Sequence, residues 1–298
     1  MQVKPGGKFY ILVALMLLFW GSFTAISKLI LGGLDGYQVL FLIFLSASVT
    51  MTIQISVKGA WGQFKAIRKK DFAILAVCGI LLFLYYFLYV RSLEFAPAVE
   101  AAMINYLFPL FVVLFAAPIN KEKLTPVKII SAVICFAGVV IIITGGTFAD
   151  VRLSNLPGDI LALSAAIAWG LFSNFGRKHH TDPLVSQYIF VIISCILSLI
   201  SLSVLSSFRI PSVFEVAGCL WLGFSNIAIS LQFWFRIIKL SSASTAANFA
   251  FFTPFVTVLF IAALTDEAIT IAAIAGMLLI VAGNVTASIK LKNNNPNN

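Results

Sequence analysis

Apolar residues run through this chain in long uninterrupted blocks, separated by short clusters of charge, glycine and proline. Blocks longer than roughly 18 residues exceed what a soluble core helix needs and match the thickness of a bilayer. Read between their breaks, they predict ten spans at roughly 9–31, 37–57, 72–93, 97–118, 127–146, 158–177, 184–206, 213–235, 243–264 and 270–290. Helices of that length occupy most of the chain and leave no room for a soluble domain. Composition agrees: 61% of residues are hydrophobic and 10% charged, where a soluble domain carries about a quarter charged.

The net charge of +9 would suit nucleic acid, but the basic residues stand in short loops beside the spans. With both termini placed in the cytoplasm, inner segments hold sixteen Lys and Arg, from Lys4 and Lys8 through Lys58–Lys70 to Lys290 and Lys292. Outer segments hold four, Lys28, Arg91, Arg152 and Arg209. That bias is the positive-inside signature of a cell-membrane protein and replaces the nucleic-acid reading. The apolar run beginning at Phe9 is too long for a signal-peptide core and is read as the first permanent span. Cys78, Cys135, Cys195 and Cys219 stand singly in apolar surroundings, without metal-site or disulfide spacing.

The chain matches itself. At an offset of 145, Arg91 meets Arg236, Ala98 meets Ala243, Pro109 meets Pro254, Glu122 meets Glu267 and Gly138 meets Gly283. At 149, Trp20 meets Trp169, Gly21 meets Gly170, Phe23 meets Phe172 and Lys28 meets Arg177. Ordered matches of proline, tryptophan and charge point to duplication. Residues 1–146 form the first five-span repeat, 147–290 the second, and 291–298 a disordered cytoplasmic tail. Because five is odd, the second repeat enters the membrane from the opposite side. The expected fold is therefore an all-α polytopic membrane protein of ten transmembrane helices in two inverted five-helix repeats. In that architecture solutes bind near the midplane, between the repeats.

Candidate chemistry is sparse. Pro109 and Pro254 lie well inside spans 4 and 9, where each removes a backbone hydrogen bond and kinks the helix; matched by symmetry, they are candidate hinges. Alanines at 98, 102, 243 and 247, and Ala162, Ala166 and Gly170, mark close helix packing. Tyr85 and Tyr89 share a helical face, with Tyr86 beside them, and suit either an interfacial belt or a cavity wall. Asn105 and Tyr106 adjoin the Pro109 kink, and Trp20 and Trp169 lie mid-span; together they would offer aromatic faces to a ring or an organic cation. Glu100 is either a first-turn helix charge or a coupling carboxylate. Asn174, Gln232 and Asn248 either glue helices or contact substrate. Lys28 and Arg177 are expected to snorkel from span ends. His179 and His180 lack metal-ligand spacing, and neither a nucleotide-binding loop nor a hydrolase motif occurs.

These features resemble the EamA branch of the drug/metabolite transporter superfamily over nearly the whole chain. Phe19-Trp20-Gly21-Ser22, its echo Ala168-Trp169-Gly170, and the stretch from Ala96-Pro97-Ala98-Val99-Glu100 to Ile104-Asn105-Tyr106-Leu107-Phe108-Pro109 carry the likeness. The last stretch is similar to aromatic amino-acid exporters of the YddG type. The resemblance implies a ten-helix basket around a central cavity, with no cofactor, and places cavity aromatics at Tyr85, Tyr86, Tyr89, Tyr106, Phe108 and Trp169. Phe108 stands where that subgroup often has tryptophan, and Tyr86 where it can have histidine, so the likeness carries a fold and not one solute. The expected function is secondary transport of small organic metabolites, aromatic amino-acid export first, with uptake of a cation such as choline as the rival. A membrane enzyme would need convergent His, Asp or Ser clusters, and a scaffold would not need symmetric hinges. The expected partners are the small-molecule solute and membrane lipid, in a monomer or a homodimer.

Overall fold

The computed structural model describes residues 7–121, 126–143, 146, 155–240 and 252–289. Every regular element among them is helical: α1 Gly7–Leu31, α2 Gly36–Val57, a 3-10 helix Ala60–Ala66, α3 Lys69–Phe95, α4 Ala98–Asn105, α5 Phe108–Asn120 and α6 Pro126–Ile143. Then follow α7 Leu156–Phe175, α8 Pro183–Leu205, α9 Val213–Leu222, a π turn Gly223–Ile229, α10 Ser230–Leu240, α11 Thr253–Leu264 and α12 Ile271–Ile289. Among the described residues seven stretches are long and apolar enough to cross a membrane, and Val133–Ile142, Thr253–Leu264 and Ile271–Gly283 are shorter apolar helices. The chain is a multi-pass membrane protein. Two of the long stretches, Ala98–Asn120 and Val213–Trp234, run through an interruption, at the α4–α5 junction and at the π turn.

Helix starts follow local chemistry. The Asp35 carboxylate accepts from the Tyr37 and Gln38 N–H groups and starts α2, and Asp182 does the same for Leu184 and Val185 ahead of α8, where Pro183 takes the first turn. Ser212 and Glu215 form a reciprocal capping box on α9.

Packing follows the sequence repeat. α1 packs on α11 and α7 packs on α5, and α1 lies along α9 and α10 as α7 lies along α3. The contact points are themselves repeat-related. A Cβ on Gly21 would stand 2.5 Å from Val256 Cγ1, and one on Gly170 would stand 2.6 Å from Phe111 Cβ. Those partners are 145 residues apart, as the glycines are 149 apart. The third seam pairs α6 with α12: a Cβ on Gly138 would meet the Gly276 carbonyl at 2.6 Å, and one on Gly283 the Cys135 sulfur at 2.5 Å. Small residues here let backbones touch where lipid supplies no hydrophobic drive. Cys78, Cys135 and Cys219 are buried packing residues, Cys195 is half-buried, and all four are free thiols.

The helix ends sort onto two faces. On one, the Gln38 amide exchanges hydrogen bonds with the Arg209 backbone at 2.5 and 3.0 Å, and Ser206 donates to Asp35 at 2.8 Å. On the other, Tyr188 packs against Trp61 at 5.7 Å between ring centroids, and Asn120 donates to Asn174 at 2.6 Å. Hereafter these are the Lys28 face and the Arg177 face.

Lys28 is held more specifically than a snorkelling lysine. Its Nζ donates to the Leu93 and Ala96 carbonyls at 2.7 and 2.9 Å and lies 3.9 Å from Glu267 Oε1. Those carbonyls close the end of α3, where a cation suits both the unsatisfied C=O groups and the helix dipole. Glu267 in turn accepts from the Ala98 and Val99 N–H groups at 2.9 and 3.2 Å, supplying the anion for the start of α4.

Candidate functional site

A cavity lies where the two repeats meet. α1 contributes Trp20, Phe23 and Thr24 from one face, since i, i+3 and i+4 stand together on a helix. α3 contributes Tyr85, Tyr86 and Tyr89, the α4–α5 junction Asn105, Tyr106 and Phe108, α7 Trp169, the π turn Asn226, and the start of α11 Thr253. No charged side chain is among these lining residues.

The junction between α4 and α5 exists because of proline. Pro109 has no N–H to give the Asn105 carbonyl, so the helix ends at Asn105 with Tyr106 N–H bonded to Ala102 O and Leu107 N–H to Ile104 O, both at 3.0 Å. Pro109 then occupies the first turn of α5, where a missing donor costs nothing. The expected kink is thus a full interruption. Pro254 likewise sits in the first turn of α11, and residues 241–251 lie outside the described ones, Asn248 among them.

Rings fill most of the space. Trp169 is the hub, 4.6 Å from Tyr85, 5.8 Å from Phe108 and 6.2 Å from its repeat counterpart Trp20, in near-perpendicular contact with the last. Tyr85 meets Tyr86 at 4.8 Å, and Phe23 stacks on Tyr89 at 5.7 Å. About 40 Å³ remains, room for a few waters and well under the 300 Å³ or more typical of small-molecule sites. Any organic occupant must therefore displace ring–ring contacts.

Most polar atoms at the wall are already paired. Thr24 and Tyr89 share a hydrogen bond of 2.6 Å, Tyr106 and Thr257 one of 2.5 Å, and Trp20 Nε1 donates to Ser230 at 2.8 Å. Asn105 differs. Its Nδ2 donates to the Tyr85 hydroxyl at 3.3 Å, while its buried Oδ1 has no partner. Thr253 Oγ1 is also buried and unpartnered.

The structure thus gathers Trp20, Tyr85, Tyr86, Tyr89, Asn105, Tyr106, Phe108 and Trp169 around one space. Tyr86 and Tyr89 are each 3% exposed, which takes them out of an interfacial belt. Glu100 is not in the wall. It occupies the first turn of α4, accepts from Asn155 Nδ2 at 2.8 Å, and lies within hydrogen-bonding reach of the Asp159 carboxylate at the start of α7. Asn174 is helix glue, donating to Val112 O and Gly170 O at 2.9 Å each, and Gln232 bridges to Gln54 at 2.5 Å. Among the described residues no three His, Cys, Asp or Glu side chains gather at metal-binding distance.

Sequence reasoning passed over Phe23, Thr24, Asn226 and Thr253. Signals existed for three. Phe23 and Thr24 lie on the Trp20 face, and Thr253 is the repeat counterpart of Phe108. Asn226 needs the π turn to reach the cavity, and nothing in an unbroken apolar stretch announces one.

Comparison with known proteins places this geometry. The EamA-like transporter family model matches residues 7–144 and again 156–289. An uncharacterized transporter of Archaeoglobus fulgidus is 26% identical over 289 residues, covering 94% of this chain and 98% of its own. An aromatic amino acid exporter, YddG, of Ancylobacter novellus is 31% identical over 161 residues, 51% of this chain and 54% of its own. A probable terminal-alkyne amino-acid exporter of Streptantibioticus cattleyicolor is 26% identical over 248 residues, covering 79% and 78%. A solved crystal structure superposes with a TM-score of 0.68 at 22% identity, covering 97% of this chain and 99% of that one.

Proposed function

Because the chain belongs to the EamA-like transporter family, we propose that it is a secondary transporter exporting small organic metabolites, aromatic and hydrophobic amino acids first. The observation that carries this is the uncharged, aromatic-walled space shared by both repeats beside an interrupted helix. Such a wall rewards a ring by stacking and has no side-chain charge to hold a strongly ionic solute. Two relatives named as amino-acid exporters support the same class. A choline-like cation would find aromatic faces too, but no carboxylate is among the described residues that line the space.

In this reading ten spans form two inverted repeats that rock about the cavity. Pro109 at the start of α5 and Pro254 at the start of α11 are the hinge points, and the Lys28 face is extracellular. Counterflow in proteoliposomes against a panel of amino acids and amines tests the reading. Aromatic amino acids should exchange fastest, and Pro109→Ala and Pro254→Ala should each slow exchange several-fold in a folded, inserted protein. Exchange of quaternary amines with no amino-acid exchange would overturn it in favour of cation uptake.

A further inference from the structure

Within that same cavity two polar atoms are left over, and they stand at positions with opposite chemical leanings. Asn105 is 2% exposed, and its amide nitrogen donates to the Tyr85 hydroxyl. With the nitrogen end of the amide on the Tyr85 hydroxyl, the carbonyl end, Oδ1, is a buried acceptor without a donor. Thr253 is 1% exposed, lies in the first turn of α11, and keeps an unpartnered hydroxyl. A buried polar atom without a partner carries a standing desolvation penalty, which a bound group can relieve.

The two atoms ask for different things. An amide oxygen with no donor is completed by an N–H or an ammonium. A hydroxyl in the first turn of a twelve-residue helix is completed by an acceptor, and the partial positive charge of the helix start favours a carboxylate there. The rest of the wall is apolar ring. At the equivalent point of the other repeat, the first residue of α5 is Phe108 instead of a hydroxyl residue. One repeat therefore presents a polar helix start to the cavity and the other an aromatic one.

We infer that Asn105 and Thr253 form a head-group subsite for a zwitterionic α-amino acid, with the ammonium on Asn105 Oδ1 and the carboxylate on the Thr253 hydroxyl and the start of α11. The side chain then lies among Trp169, Phe108 and Tyr85. This rests on the transport reading above and narrows it, since it requires both charged ends of the solute. It also accounts for recognition of a zwitterion without any charged side chain: a carbonyl meets the ammonium and a helix start meets the carboxylate, each offsetting the desolvation of one charge.

The test uses the purified full-length protein in proteoliposomes, with phenylalanine, phenethylamine (no carboxylate) and 3-phenylpropionate (no ammonium) as competitors of phenylalanine counterflow. On the wild type both analogues should compete at least about tenfold more weakly than phenylalanine, the loss of one hydrogen bond to a charged group. Thr253→Val keeps the shape and removes the hydroxyl. It should weaken phenylalanine and 3-phenylpropionate by about tenfold and leave phenethylamine unchanged, with Thr253→Ser restoring the wild-type pattern. Asn105→Ala should weaken phenylalanine and phenethylamine and spare 3-phenylpropionate. If Asn105→Ala does not fold, the Thr253 pair alone decides.

Analogues that compete as well as phenylalanine, or a Thr253→Val effect equal for all three compounds, would overturn the subsite. If the wild type exchanges no amino acid, the transport reading fails separately. Quenching of tryptophan fluorescence in detergent by the same three compounds then tests the subsite, and no quenching by phenylalanine overturns it.

Discussion

In the first repeat Tyr85, Asn105, Tyr106 and Phe108 stand at the cavity, and the residues 145 positions on are Ser230, Ala250, Phe251 and Thr253. Trp20 and Trp169 occupy equivalent places in α1 and α7, yet Trp169 packs at a tilt against Tyr85 while Trp20 gives its Nε1 hydrogen to Ser230. Set against this divergence, Gly21 on Val256 and Gly170 on Phe111 make the same helix contact twice. Duplication has therefore kept what lets the repeats pack and released what lines the space between them. A ligand in a fully symmetric site would have two equivalent poses; the divergence leaves one.

The largest effect should come from the conserved half of that comparison. A Cβ added at Gly170 would stand 2.6 Å from Phe111 Cβ and 2.9 Å from its backbone carbon, atoms that move only with the helix. A Cβ on Gly21 would stand 2.5 Å from Val256 Cγ1, a methyl that a rotamer change can withdraw, and 2.9 and 3.2 Å from the Val256 Cβ and backbone carbon, looser than the fixed contacts at Gly170. Overpacking costs about 1–3 kcal/mol. Gly170→Ala should sit at the upper end of that range, seen as a lower melting temperature in detergent, and Gly170→Leu should abolish folded protein. Gly21→Ala should be milder. Equal melting temperatures for the two alanine variants would mean that the seams are more alike than their contacts.

Next comes the divergent half. Trp169 touches Tyr85, Phe108, Phe172 and Trp20, so a ring stacked there loses most when it is removed. Each aromatic contact contributes about 0.5–1.5 kcal/mol beyond area burial, or two- to tenfold in affinity. Trp169→Ala should weaken apparent affinity in counterflow by about tenfold. Trp20→Ala, whose ring is shared with Trp234 and Ser230, should cost about twofold. Phe72, 53% exposed on the outer surface of α3, is the control and should cost nothing. Equal small losses at all three positions would return these rings to packing.

How much of this was legible beforehand follows from the same physics. Lipid forces long apolar runs, so the spans stood out, and a duplicated chain keeps its offset, so the repeat and its paired prolines, tryptophans and glycines could be read. Helical spacing puts Tyr85 and Tyr89 on one face and leaves them as belt or wall; the family resemblance puts them, with Trp169, in a cavity, while Phe23 on the Trp20 face is passed over. What stayed hidden depends on atoms brought together from far apart. Asn226 enters the wall through a π turn inside an apolar run, and although the repeat offset pairs Thr253 with Phe108, that its hydroxyl is buried without a partner shows only once its neighbours are known. Glu267 reads as a loop acid, yet its carboxylate starts a helix 169 residues earlier in the chain. Glu100 kept both its readings: it does sit in a first turn, and it does face a second carboxylate, Asp159.

The smallest expected effect concerns the Lys28 face, where the symmetry is again visible. Lys28 and Glu267 join the end of α3, the start of α4 and the loop beyond α11, so a residue of the second repeat holds two helices of the first. Their repeat counterparts are Arg177 and Glu122, of which Glu122 lies outside the described residues. If each pair restrains its own face, neutralising one should favour opening there and disfavour opening opposite. The side chains of Lys28 and Glu267 are 30% and 23% exposed, so the ion pair itself contributes only about 0.2–1 kcal/mol after screening. That corresponds to a population shift of up to about fivefold. In a variant lacking the four native cysteines, with one cysteine at Thr24 in the cavity wall, Glu267→Gln should raise the rate of labelling by an impermeant maleimide from the Lys28 face by about two- to fivefold. Gln keeps the size and an acceptor for the Ala98 N–H, so the change removes the charge together with the acceptor for the Val99 N–H. Glu122→Gln should change labelling in the opposite sense, and labelling from outside intact cells also reports whether the Lys28 face is extracellular. Rates that rise together in both variants would show that these carboxylates stabilise the bundle as a whole, with no preference for either face.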